Sequence, residues 1–156
     1  MQLLLDSRLV KTVQFGSYRD VGDPVASSRV YNSQYADELV FLNISRSTRS
    51  TIPMLGLLER VSEVTFMPLA LGGGIQNAAD AGALLRHGAD KIVVNSAVYE
   101  NYHLVRAIAE RFGSQAVVVS VDVRRDPGSG DYVLYSDCGR KRERVQLDEH
   151  VESAVG

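Results

Sequence analysis

Cysteine is almost absent from this chain. Cys138 is the single one, which excludes an internal disulfide and a multi-cysteine zinc site. A lone thiol suits a reducing, cytoplasmic setting. With no histidine near it in sequence, it reads as structural rather than as a nucleophile. Histidine is scarce too. His87, His103 and His150 fall in helical patterns away from strand ends, so neither a metal nor a cofactor is expected. No run of about 18 apolar residues occurs, which argues against a membrane span. The opening MQLLLDSR is too short, and lacks the charged start, for a signal peptide. Neither sign of charge dominates: 17 Lys and Arg stand against 19 Asp and Glu, for a net charge of −2. No broad basic field therefore points to nucleic acid. The cluster Arg140-Lys141-Arg142 is soon followed by Glu143, Asp148 and Glu149 and reads as a solvated loop.

What remains is an ordinary globular composition, 45% hydrophobic over 156 residues, with room for one domain. Short apolar runs alternate with helical patterns. Glu38–Ile44 reads as a strand. Ser50–Val64 reads as a helix, with Leu55, Leu58 and Val61 at helical spacing. A strand over Met67–Leu71 tolerates Pro68 only near its start. A helix over Asn77–His87 has Asn77 as its cap and Gly88 as its stop. Lys91–Val94 is a strand, Asn101–Phe112 a helix, and Ala116–Val121 a strand apolar enough to be buried on both faces. Ahead of these, Leu3–Leu5 and Leu9–Val13 form a hairpin and Pro24–Asn32 a helix. Arg124–Arg142, with its Asp126-Pro127-Gly128-Ser129-Gly130 stretch, is a hairpin excursion after the fifth strand. Strand alternating with helix predicts parallel pairing through right-handed crossovers. The fold class is α/β, an arc of about five β/α units in one domain over residues 1–156. A closed barrel needs eight strands and about 250 residues, so the sequence reads as part of a longer chain or a larger assembly. An open doubly wound sheet is the alternative.

In such an arc, side chains at the strand C-termini face the site. Gly72, Gly73 and Gly74 let a ligand approach the backbone and its N–H groups. Asn95 and Ser96 end the next strand just before a helix and can join them around a phosphate. The competing reading is a tight glycine turn and a helix cap. Asp122 ends the fifth strand, where a carboxylate raised by partial burial can act as general acid or base; the plain alternative is a loop cap. Lys11 and Asn43, near strand ends, can orient a substrate or be solvated. Asp20, Gly22 and Asp23 read as a loop able to act as a lid, with Asp23-Pro24 also a plain helix start. Glu38, Asp90 and Lys91 sit at strand N-termini on the opposite face, either pairing as a plug or forming a surface salt bridge.

These residues together resemble a known family. Arg19-Asp20-Val21-Gly22-Asp23-Pro24, Asp37 through Leu42, Gly72-Gly73-Gly74-Ile75, Gly88-Ala89-Asp90-Lys91 with Asn95, and Phe112 through Val119 with Asp122 are similar to the cyclase subunit family of imidazole glycerol phosphate synthase. The resemblance implies a (β/α)8 TIM barrel of lyase type. Such a barrel receives ammonia from a glutaminase partner in a heterodimer and closes an imidazole ring on a phosphorylated, ribulosyl substrate. It further implies that Gly73, Gly74, Asn95 and Ser96 bind phosphate, Lys11 binds substrate, and Asp122 is the catalytic acid/base. Glu38 and Lys91 then match the gate where ammonia enters, and Asp90 a residue facing the glutaminase.

One position departs from that pattern. The family's other catalytic aspartate falls eight residues before Lys11, where this chain has Leu3. Asp6 is out of register with it, and Asn43 stands where many cyclases have aspartate. The opening residues look more like a branch serving amidination of surface sugars in lipopolysaccharide, and this branch is favoured over histidine biosynthesis. A half-barrel that only binds and activates a glutaminase is the non-catalytic alternative. A phosphosugar isomerase barrel is a third, opposed by Phe112–Val119 and Arg19–Pro24.

Overall fold

The computed structural model describes residues 1–13, 16–45 and 50–155. Its elements run β1 (Gln2–Leu5), β2 (Arg8–Thr12), β3 (Tyr18–Gly22), α1 (Pro24–Ser33), β4 (Leu39–Asn43), α2 (Ile52–Ser62), β5 (Leu69–Gly72), α3 (Ala78–Arg86), β6 (Lys91–Val94), α4 (Ser96–Glu100), α5 (His103–Phe112), β7 (Val117–Val119), β8 (Asp122–Arg125), β9 (Tyr132–Ser136), β10 (Lys141–Arg142) and α6 (Leu147–Val155). The main sheet has the order β3-β2-β1-β4-β5-β6-β7. β1, β4, β5, β6 and β7 are parallel neighbours in chain order. That is the predicted five-strand arc, so every β/α turn lies at one edge of the sheet.

Strand register explains which side chains reach that edge. Phe41, Leu71 and Ile92 are paired across β4, β5 and β6 and are at most 1% exposed. They pack with Met54, Leu58, Leu84 and Ile108 of the flanking helices. Each such apolar side chain contributes about 1.5–3 kcal/mol by leaving water. The alternate row, Leu3–Leu42–Gly72–Val93–Val118, faces the other way, and its Leu3, Leu42 and Val93 line the cavity described below. The crossover helices begin and end where the chemistry directs. The Asn77 side chain accepts from the N–H groups of Ala79 and Asp80, both at 2.9 Å, and Asp23 caps α1 through Ala26 N–H with Pro24 in the first turn.

Three expectations need correction. Asp20 and Gly22 are not in a lid loop but in β3, which pairs antiparallel with β2. Its side chains are largely exposed, so backbone pairing rather than an apolar face holds it, and Arg8 and Asp20 pair across the ribbon at 2.9 Å. The fifth strand, β7, is not buried on both faces. It is the sheet's edge, and Val118 is 40% exposed. Asp122 does not close that strand; it opens β8, the first strand of a separate antiparallel sheet ordered β10-β9-β8. The predicted excursion over Arg124–Arg142 is this sheet. The helix expected over Asn101–Phe112 begins at His103, and α4, about a turn and a half long, lies before it where the pattern foresees no helix. Asn101, extended at φ −156° and ψ 99°, divides the two.

Candidate active site

At the strand C-termini lies a cavity of about 320 Å³. The ends of β1, β4, β5 and β6 and the segment after β7 contribute Leu3, Asn43, Gly73, Gly74, Asn95, Ser96, Ser120 and Asp122 to its wall. Asn43, Gly73, Gly74, Asn95, Ser96 and Asp122, all singled out from sequence, are thus gathered in one place. Lys11 is not among them. In β2 the side chains alternate: Val10 pairs with Leu3, Thr12 follows it onto the cavity side, and Lys11 points away and is exposed.

The glycines are required by close packing as well as by any ligand. Gly73 has φ +98°, and a Cβ on it would overlap the backbone carbonyl of Asn43. Gly74 has φ +75°, and a Cβ there would come 2.9 Å from the Ser50 carbonyl oxygen. The end of β5 therefore passes against the end of β4 with no room for a side chain, and its peptide groups border the cavity.

Asn95 occupies the cap position of α4, yet its side chain makes no capping hydrogen bond. It hydrogen-bonds the Asp122 carboxylate instead. The carboxylate can only accept, so the amide nitrogen donates, and Asn95 Oδ1 is left buried with no hydrogen-bond partner among the described residues. Asp122 is partly buried. Burial pushes its carboxyl above the ordinary range, and the Asn95 hydrogen bond pulls the other way. An acid so placed can exchange a proton with a bound molecule closer to neutral pH than a solvated aspartate can. Ser96 Oγ accepts from Asp137 N–H at 2.9 Å, which ties the β9–β10 turn to the cavity.

Thr12, Ser120 and Cys138 also line the cavity, and sequence reasoning missed their part in it. Cys138 arrives there on the four-residue turn between β9 and β10, where Asp137 (φ 51°), Cys138 (φ 55°) and Gly139 (φ 75°) are all left-handed. Of the three, only Gly139 adopts that conformation without steric cost. Among the described residues no group of three His, Cys, Asp or Glu could hold a metal ion. No helix of the described residues is long and apolar enough to cross a membrane.

The other edge of the sheet carries the remaining three. Lys91 Nζ lies 3.0 Å from both carboxylate oxygens of Glu38, joining the N-terminal ends of β4 and β6 across β5. Asp90 Oδ2 accepts from Leu69 N–H at 2.8 Å, and Asp90 N–H donates to the Leu69 carbonyl at 2.9 Å. That reciprocal tie fixes the start of β5 against β6.

A family model described as "Histidine biosynthesis protein" matches residues 4–155. Three similar curated proteins bear the name imidazole glycerol phosphate synthase subunit HisF. The one from Myxococcus xanthus is 49% identical over 135 residues, covering 86% of this chain and 52% of that protein. The Lactiplantibacillus plantarum protein is 46% identical over 150 residues, covering 96% and 60%. The Staphylococcus carnosus protein is 43% identical over 142 residues, covering 91% and 56%. The chain thus spans little more than half the length of these relatives. The matched span reaches all five parallel strands and every residue of the cavity wall beyond Leu3 and Met1, so the chain belongs to the histidine biosynthesis protein family, a (β/α)8-barrel family, as a relative of its HisF members.

Proposed function

We propose that this chain is a cyclase-type subunit of a glutamine amidotransferase complex. It works in the cytoplasm as one partial barrel domain over residues 1–156. It receives ammonia from a glutaminase partner and acts on a phosphorylated, sugar-type substrate in the cavity. The observation that carries this reading is the placing of Asp122, raised by burial, in one cavity with Gly73, Gly74, Asn95 and Ser96. The glycine peptides and the Asn95 and Ser96 side chains hold the phosphate, and Asp122 moves the proton. The name that the relatives bear, imidazole glycerol phosphate synthase subunit HisF, supports ring closure of that type, a lyase-type step. The test supplies the complete reading frame with an ammonium salt and the ribulosyl phosphate intermediate of histidine biosynthesis. Loss of that substrate is the expected result; a folded protein that leaves it untouched defeats the ring-closing role.

A second reading is favoured by one residue. Leu3 presents an apolar side chain to the cavity where a two-carboxylate scheme would need an acid. Ammonia delivery for amidination of lipopolysaccharide sugars accommodates that, with the chemistry done by a partner enzyme. Leu3→Asp decides between them. Ring closure gained only in the variant supports delivery in the natural protein, and full ring closure with Leu3 in place removes this reading.

The partner surface is assigned to the strand N-terminal edge. Glu38, Lys91 and Asp90 lie there, and so do Tyr35 and Phe66, which are 91% and 95% exposed. Both aromatics flank Asn32: Tyr35 N–H donates to its carbonyl and Phe66 N–H to its side chain. Exposed aromatics beside a fixed charge pair suit a protein interface. Lys91→Met is expected to lower glutamine-dependent turnover about tenfold relative to ammonia-dependent turnover, read by assaying both nitrogen sources with the partner present. An unchanged ratio would dissociate the Glu38–Lys91 pair from ammonia entry.

A further inference from the structure

His150 is wholly buried and has no part in the chemistry above. It lies in the first turn of α6, yet its contacts are with the elements that shape the cavity. Its ring stacks on Tyr99 of α4, with centroids 4.2 Å apart and planes 9° from parallel. Its Nδ1 is hydrogen-bonded at 2.8 Å to the hydroxyl of Tyr102, which precedes α5. The ring therefore touches both sides of the break at Asn101. Burial lowers its proton affinity against the opposing pull of Glu143, which keeps the stacked ring neutral.

α4 has need of such a support. It is five residues long and lacks a side-chain cap, so its own hydrogen bonds cannot hold it. Only Val98 is buried in the core from this helix. Asn95 and Ser96, at its start, are the residues whose side chains meet Asp122 and Asp137. Tyr99 follows Ser96 by three positions and so lies on the same helical face. Two buried atoms, Tyr99 hydroxyl and His150 Nε2, have no hydrogen-bond partner among the described residues.

We propose that His150 is a positioning residue of the cavity, acting through Tyr99 and α4 to hold Asn95 and Ser96 in place. The inference rests on reading the cavity as a phosphate site, and the test separates the two. Wild type, His150→Ala and His150→Phe of the complete protein are compared by amide hydrogen exchange and by affinity for inorganic phosphate. His150→Ala should speed exchange in Ser96–Glu100 about tenfold, leave Leu69–Gly72 of β5 unchanged, and weaken phosphate about tenfold. His150→Phe, which keeps a flat ring on Tyr99, should stay within about twofold of wild type in both. Wild-type exchange in the alanine variant overturns the proposal. So does faster exchange spread equally over α4 and β5, or a phenylalanine variant as damaged as the alanine one. Absence of phosphate binding by wild type removes the phosphate reading, while the exchange comparison still decides whether His150 positions α4. If His150→Ala does not fold, Tyr99→Leu removes the stack from the other side and is judged by the same exchange pattern.

Discussion

Asp122→Asn, made in the complete protein, is expected to lower ammonia-dependent turnover by about 10²–10⁴-fold and to make the protein more stable. The first effect follows from removing the proton carrier in the cavity wall whose affinity is shifted toward neutrality. The second follows from the direction of that shift. Burial is the larger influence on Asp122 and raises its carboxyl pKa above the unfolded value. The folded state then binds the proton more tightly than the unfolded chain. This group's contribution is fully present below the ordinary carboxylate pKa and is lost as pH rises through the raised folded one. At pH 7 the ionised carboxylate is a cost, and a neutral amide of the same shape relieves it. The substituted amide keeps an oxygen that can accept from Asn95. A gain of about 1–4 °C in Tm at pH 7, shrinking toward zero near pH 4, is the expected thermal signature. Turnover unchanged by the substitution would sink the acid/base assignment of Asp122. A lower Tm at pH 7 would show that the hydrogen bond, not burial, dominates at this position.

That the parallel arc could be read in advance has a physical cause. Runs such as Lys91–Val94 are short, apolar and bounded by a glycine-ended helix and a polar turn, and β6 occupies those very residues. What could not be read depends on contacts that leave no local period. β3 carries Arg19 and Asp20 among five residues, mostly exposed, and is a strand because β2 offers it a partner. β7 has the composition of a buried strand, but composition does not name its neighbours, and among the described residues it pairs with β6 alone. Within the cavity, Gly73, Gly74, Asn95, Ser96 and Asp122 were legible because strand ends in an arc converge. Cys138 was not, since it reaches the wall on a turn of a second sheet. His150 was seen only as a helical histidine, because its meeting with Tyr102, 48 positions earlier, is a property of packing between helices.

Gly73→Ala should be the most damaging single-methyl change at the site, and Gly56→Ala the most nearly opposite. An alanine at Gly73 must hold φ near +98°, a region costly for an L side chain by about 1–2 kcal/mol. Its Cβ would also overlap the carbonyl group of Asn43, and backbone cannot swing aside as a side-chain tip can. Asn43 is held on one side by its register with Leu4 of β1, and the preceding Leu42 by Gly72 of β5. Relief would therefore pull the ends of three strands apart. Strain and overpacking together come to about 3 kcal/mol or more, or about 6–12 °C in Tm for a chain of this size. Gly56 lies inside α2, where a Cβ would meet nothing within 4 Å. Alanine there should add about 0.5–1 kcal/mol by restricting the unfolded chain and favouring helix. Thermal unfolding of the two variants beside wild type tests the contrast, and phosphate affinity of Gly73→Ala, measured well below its Tm, tests its meaning for function. A Gly73→Ala protein as stable as wild type would show that the end of β5 is not wedged against Asn43. A destabilised one that still binds phosphate normally would separate the packing of this glycine from the ligand. Loss of both is expected, because the peptide that passes against Asn43 is the one that borders the cavity, and a methyl group that moves the first must move the second.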